Sequence, residues 1–233
     1  MGGIETAAAR RVSTGRLFGW LAFVAVLATL NYVARFTTDP PEERDTLYQW
    51  SSFVGGVFLF GIILGITIAL AARGPARTLL ALRLPRKGWA RALGLAAALL
   101  VATFAAAALL EPFLEAGEEQ GLTPEGWDPD RAAPFFANAL LVGALVPIVE
   151  ELSFRGLGFS LLSSLGRWPA IVAVGVLFGL AHGLVNALPL LALFGMALAW
   201  LRDRTDSVFP CIVLHAAFNS LALIASVTVA GGT

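Results

Sequence analysis

Only two histidines occur in the 233 residues, His182 and His215. Both lie in long apolar runs, as do the adjacent acids Glu150 and Glu151, and Arg155 and Asn219. If those runs cross a lipid bilayer, the cost is high. A charge at the bilayer centre costs about 2.5–3.5 kcal/mol even on the lenient insertion scale, so such side chains persist where they face an interior and find partners. The residue types suit a limited chemistry. A carboxylate can act as general base toward a water. Imidazole and carboxamide groups can stabilise an oxyanion. Two histidines and a glutamate can also hold zinc with one position open for water.

The spacing lets these groups converge. Glu151 and Arg155 are i,i+4 and can pair on one helix face, while Glu150 points about 100° away and stays free. His215 and Asn219 share a face, as do Phe178 and His182. With one helix ending near Leu165 and the next starting near Trp168, Glu150 and His182 lie about 22 Å and about 21 Å from that turn at about 1.5 Å per residue. His215 and Asn219 lie about 10–17 Å past Val208. All of them can line one polar cavity.

The elements that must position them are apolar helices. Hydrophobic residues make up 58% of the chain and charged residues 14%, with a mean hydropathy of +0.78. Soluble domains run near 45–50% and about 25%. A bilayer core about 30 Å thick takes about 20 apolar residues of helix. The runs are roughly Leu17–Ala34, Phe53–Ala72, Ala92–Leu110, Ala132–Leu165, Trp168–His182, Ala187–Leu201 and Val208–Val229. The expected fold is an all-α polytopic membrane protein. It is a bundle of seven transmembrane helices, or eight if the Ala132–Leu165 block breaks near Pro147, with an intramembrane polar cavity. Pro210 falls where a first helical turn tolerates it.

The first run follows Arg10, Arg11 and Arg16 but exceeds the h-region of a signal peptide, about 7–15 residues, so it reads as a retained signal-anchor. Arg73, Arg77, Arg83, Arg86, Lys87 and Arg91 crowd the second loop without an acid. The first loop carries Asp39, Glu42, Glu43 and Asp45, and the third Glu111, Glu115, Glu118, Glu119, Glu125, Asp128 and Asp130 beside Arg131. The positive-inside rule then places the N-terminus and second loop in the cytoplasm and the third loop outside. Arg167, Arg202 and Arg204 fit later cytoplasmic turns. Thr78–Arg91 reads equally as an interfacial amphipathic helix or a solvated basic loop. Asn31 and Asn186, near span ends, read as interfacial. Ser153, Ser160, Ser163 and Ser164 read as helix-packing or back-bonding residues.

Net charge is zero, which gives no sign of a nucleic-acid partner. The single cysteine, Cys211, excludes an intramolecular disulfide and reads as a small buried hydrophobe. No Gly-x-Gly-Asp, Gly-x-Ser-Gly or His-Glu-x-x-His occurs. A proton-coupled carrier would call for repeats in both halves, whereas the polar residues concentrate in one.

The order Glu150-Glu151-x-x-x-Arg155, Phe178-x-x-x-His182, His215-x-x-x-Asn219 resembles the three motifs of the CPBP family. That family comprises CAAX prenyl proteases of the Rce1 type and bacteriocin-processing or self-immunity (Abi) membrane proteins. The resemblance covers roughly residues 135–225. It implies an intramembrane endopeptidase, with Glu150 as base for a water, helped by His182. It implies that Arg155 holds Glu151, that His215 and Asn219 stabilise the oxyanion, and that Phe178 shapes the cavity. No cofactor is expected; the alternative is zinc on Glu150, His182 and His215. A non-catalytic scaffold or immunity protein of the same fold is the alternative of another class. One membrane domain, 1–233, is expected, with N-terminal helices and loops over 1–131 and a catalytic core over 132–229. The expected partners are the lipid bilayer and a peptide or membrane-protein substrate. The Ala/Arg-rich composition suggests a bacterial inner membrane with the N-terminus cytoplasmic, and hence a leader peptide or membrane protein as substrate rather than a prenylated tail.

Overall fold

A computed structural model describes residues 2–37, 46–116, 119 and 127–230, with side chains from residue 14 to residue 228. Asp39, Glu42, Glu43, Asp45, Glu118 and Glu125 lie outside the described residues, and the side chains of Arg10 and Arg11 are not described. The fold is all-α, with no strand among the described residues. The helices described are α1 (Gly2–Thr37), α2 (Trp50–Ala72), a single turn α3 (Ala76–Leu79), α4 (Trp89–Leu114), the long rod α5 (Pro129–Leu165), α6 (Arg167–Ala181), α7 (Leu188–Thr205) and α8 (Phe209–Ala230). In lipid, helices are favoured because each backbone group is satisfied within its own segment.

The seven apolar runs each form helix, and the molecule is a multi-pass membrane protein. Among the described residues, five helices are long and apolar enough to cross a bilayer: α1 from Thr14, α2, α4, α5 and α8 up to Thr228. The remaining two fall short for different reasons. α6 has only 15 residues, and α7 ends in the charged run Arg202, Asp203, Arg204. Pro147 does not divide the fourth run, so the eight-helix alternative does not form. The chain stays helical through it by widening into a π-turn, Leu141–Leu145, just before the proline, and a second π-turn follows at Leu152–Gly158. Wider turns of this kind absorb a missing donor inside a helix. Pro210 lies in the first turn of α8, as expected.

Small residues set the tightest contact, between α6 and α7. A Cβ on Gly175 would lie 2.6 Å from the Met196 nitrogen and 2.9 Å from the Ala192 oxygen; one on Gly195 would lie 2.8 Å from the Gly175 oxygen. Backbone touches backbone there, the usual way apolar helices gain contact in lipid. At the end of the bundle that carries the α5–α6 turn, residues 76–88 do not form the amphipathic helix considered for Thr78–Arg91. They form the single turn α3 and then an irregular strap. Leu80 and Ala81 are buried, and Ala81 takes a left-handed φ of 52°. Other elements satisfy the strap's backbone: Ser160 Oγ donates to the Leu79 oxygen (2.8 Å), Ser207 Oγ donates to the Arg83 oxygen (2.6 Å), and the Val208 nitrogen donates to the Ala81 oxygen (3.2 Å). The specific hydrogen bonds outweigh the amphipathic pattern. At the opposite end Asp128 caps the start of α5, and the Arg131 guanidinium holds its carboxyl below the ordinary carboxylate range.

Candidate active site

Glu150 and Glu151 end the α-helical stretch of α5 between the two π-turns. Glu151 and Arg155 are both fully buried, and Arg155 Nη1 donates to Glu151 Oε1 at 2.8 Å. Burying such a pair is costly, and further contacts offset part of the cost, although Arg155 Nε and Glu151 Oε2 have no hydrogen-bond partner among the described residues. Arg155 Nη2 donates to the Gly195 oxygen (3.0 Å), and the guanidinium lies 4.2 Å from the centroid of the Phe178 ring. The close approach of α6 to α7 brings that carbonyl within reach.

His215 Nδ1 lies 2.8 Å from the same Oε1 of Glu151. A carboxylate only accepts, so this nitrogen carries the hydrogen. Nε2 therefore faces Glu150, 3.8 Å from its Oε2. That oxygen of Glu150 is buried and has no hydrogen-bond partner among the described residues.

His182 is the residue that caps the C-terminus of α6. Its Nδ1 lies 2.7 Å from the Phe178 carbonyl oxygen, again an acceptor, so the neutral ring keeps its lone pair on Nε2. Phe178 is the common wall. Its ring centroid lies 4.6 Å from that of His182 and 5.8 Å from that of His215, both edge to face. Phe194 stands edge-on to His215 at 5.3 Å. Glu150, Glu151, Arg155, His215 and Phe178 thus form one contiguous cluster, and His182 joins it through Phe178.

Asn219 is turned toward the π-turn of α5. Its Nδ2 donates to the Val142 oxygen at 3.0 Å. The reason lies in the proline. In an α-helix Val142 would receive the Val146 N–H, but the π-turn sends that N–H to Leu141. A π-type bond to Val142 would come from residue 147, and proline has no N–H to give. The Val142 carbonyl is left for a side chain of α8. One amide hydrogen of Asn219 is engaged in this way, and the carboxamide carries a second.

Residues 132–221 match the family described as type II CAAX prenyl endopeptidase Rce1-like. The CPBP resemblance therefore holds for the segment that carries all three motifs, and the family is one of membrane-embedded endopeptidases. No curated protein and no solved structure matches the chain.

Sequence reasoning missed several groups around the Rce1-like segment. Gly195 acts through its carbonyl, which no spacing reveals. The bond between Asn219 and Val142 needs the π-turn, and only Pro147 hinted at it. Asn31, read as interfacial, instead donates to the Ala181 oxygen beside His182. The reading of Ser163 as back-bonding fits its bond to the Ser160 oxygen. Among the described residues, no three of His, Cys, Asp and Glu are grouped so as to hold a metal ion.

Proposed function

We propose that this protein hydrolyses a peptide bond within the membrane, with Glu150 activating a water. The observation that carries the proposal is the buried, unpartnered Oε2 of Glu150 beside His215, inside the segment that matches an endopeptidase family. Glu150 takes a proton from the water, and the water oxygen forms a bond to the scissile carbonyl carbon. The carbonyl π pair moves onto oxygen. His182 Nε2 accepts the water's other hydrogen and orients it. The oxyanion is met by the second amide hydrogen of Asn219, beside the His215 ring that Glu151 holds in place. Glu150 then returns the proton to the leaving nitrogen, the C–N bond breaks, and a carboxylic acid and an amine result. Arg155 holds Glu151 in place.

The substrate class proposed is a leader peptide or a membrane protein in a bacterial inner membrane. The protein's N-terminus is cytoplasmic, and residues 132–229 form the catalytic core of a single membrane domain. The site works without metal; a zinc-dependent site on Glu150, His182 and His215 is the alternative. The test is cleavage of a fluorogenic peptide library by purified protein in detergent, wild type beside Glu150→Ala, with and without chelator. Cleavage that survives chelator and is lost in Glu150→Ala supports the proposal. Loss with chelator moves the mechanism to zinc. An unchanged rate in Glu150→Ala removes Glu150 as the base and favours the non-catalytic scaffold.

A further inference from the structure

His182 sits at a helix end, and a helix end leaves its last carbonyls without intrahelical donors. In lipid, other parts of the protein must meet them. Gly183 follows in a left-handed conformation, φ 68°, and the chain then turns into α7. Asn31 Nδ2 donates to the Ala181 oxygen at 2.7 Å, and the Tyr32 hydroxyl donates to the Leu184 oxygen at 3.2 Å. These bonds flank His182 on both sides in sequence, and both come from one turn of α1. The amides that open α7 are held as well. The Val185 and Ala187 nitrogens donate to Glu119 Oε1 (2.8 Å) and Oε2 (2.7 Å), and Arg35 Nη2, also on α1, pairs with Glu119 at 2.6 Å. The Glu119 side chain is 2% exposed. Gly183 lies directly on α1: a Cβ there would stand 2.6 Å from the Asn31 Cβ and 2.9 Å from the Tyr32 nitrogen.

None of Asn31, Tyr32, Arg35 or Glu119 falls within residues 132–221. We infer that α1 is part of the working site, with Asn31 and Tyr32 as positioning residues that lock the α6–α7 turn and so fix the imidazole of His182. The inference rests on the catalytic role proposed for His182. The logic is geometric. The ring is anchored at Nδ1 to the last turn of its own helix, so its only remaining freedom is that of the turn itself. Four backbone groups of that turn are bonded to side chains from elsewhere, two of them directly to α1. Displacements of about 1 Å at a catalytic group can cost about 10²-fold in rate.

The experiment uses the full chain in detergent. Asn31→Ala and Tyr32→Phe are compared with wild type, with His182→Ala, and with Leu30→Ala, a neighbouring α1 position that is 60% exposed. Two readouts are taken: kcat and KM on the best-cleaved peptide of the fluorogenic library, and the rates of diethyl pyrocarbonate labelling at His182 and His215 by peptide mass spectrometry. With only two histidines in the chain, the labelling is unambiguous. Asn31→Ala is expected to lower kcat roughly 10-fold with KM unchanged, and to change the labelling rate of His182 alone. Leu30→Ala should match wild type in both.

Unchanged His182 labelling with full kcat in Asn31→Ala overturns the inference. A parallel change at both histidines also overturns it, because general loosening would do that. If Asn31→Ala does not fold, Tyr32→Phe, which removes a single hydroxyl, decides by the same readouts. If His182→Ala retains full activity, the catalytic role of His182 fails, while the labelling still decides whether α1 holds the turn.

Discussion

α2 and α5 are both membrane-spanning helices, yet they are built for opposite surroundings. In the spanning window of α2, 11% of residues are buried within the protein, whereas in that of α5 the share is 39%. α2 shows Phe58 and Val54 to the outside; α5 carries a fully buried glutamate and arginine. Hydrophobicity suffices to place a helix in lipid and says little about what it does there. The helix that carries the buried cluster is distinguished by π-turns, glycines and a Glu151–Arg155 pair that meets groups of α6, α7 and α8.

Five substitutions would break or sharpen that contrast. The largest effect is expected for Arg155→Ala, which strands Glu151 in the interior. Removal of one member of a buried pair costs about 3–5 kcal/mol, to be read as a lowered unfolding midpoint in detergent. Glu150→Gln should do the reverse, with cleavage falling about 10²–10⁴-fold and the unfolding midpoint near wild type. A large drop in stability there would make Glu150 structural. Gly175→Ala forces α6 and α7 apart and should cost about 1–3 kcal/mol by overpacking, again measured by unfolding. Pro147→Ala supplies an N–H that competes with Asn219 for the Val142 carbonyl. One such hydrogen bond is worth about 1 kcal/mol net, so kcat should fall several-fold with KM unchanged. The smallest effect belongs to Leu109→Ala on α4, 71% exposed. It should stay within about 0.5 kcal/mol of wild type. If Leu109→Ala equalled Gly175→Ala, lipid-facing and interior positions would not differ as described.

Much of the fold was legible because lipid imposes a simple rule of length and apolarity. Seven runs were expected and seven helices form from them, though α6 and α7 miss the spanning criterion. The pairing of Glu151 with Arg155 was legible from i,i+4 spacing and the cost of burying charge, whereas the contact of His215 with Glu151, from another helix, was not. What escaped depends on backbone groups. The strap over residues 80–88 was open between helix and loop because its pattern is amphipathic, yet hydrogen bonds from Ser160, Ser207 and Val208 decide its path. The partner of Asn219 is a carbonyl freed by a proline five residues further on. Asn31 looked like a headgroup contact because sequence does not say which helix lies beside it.

The brevity of α6 has a consequence for the bilayer itself. Fifteen residues rise about 22 Å, some 8 Å less than a hydrocarbon core of about 30 Å. Its neighbour α5 has 37 residues and errs in the other direction. This hydrophobic mismatch is met by local thinning of the membrane or by sinking of the short helix's end beneath the surface. Either response shortens the distance from bulk solvent to His182, and hydrolysis inside a membrane depends on a supply of water.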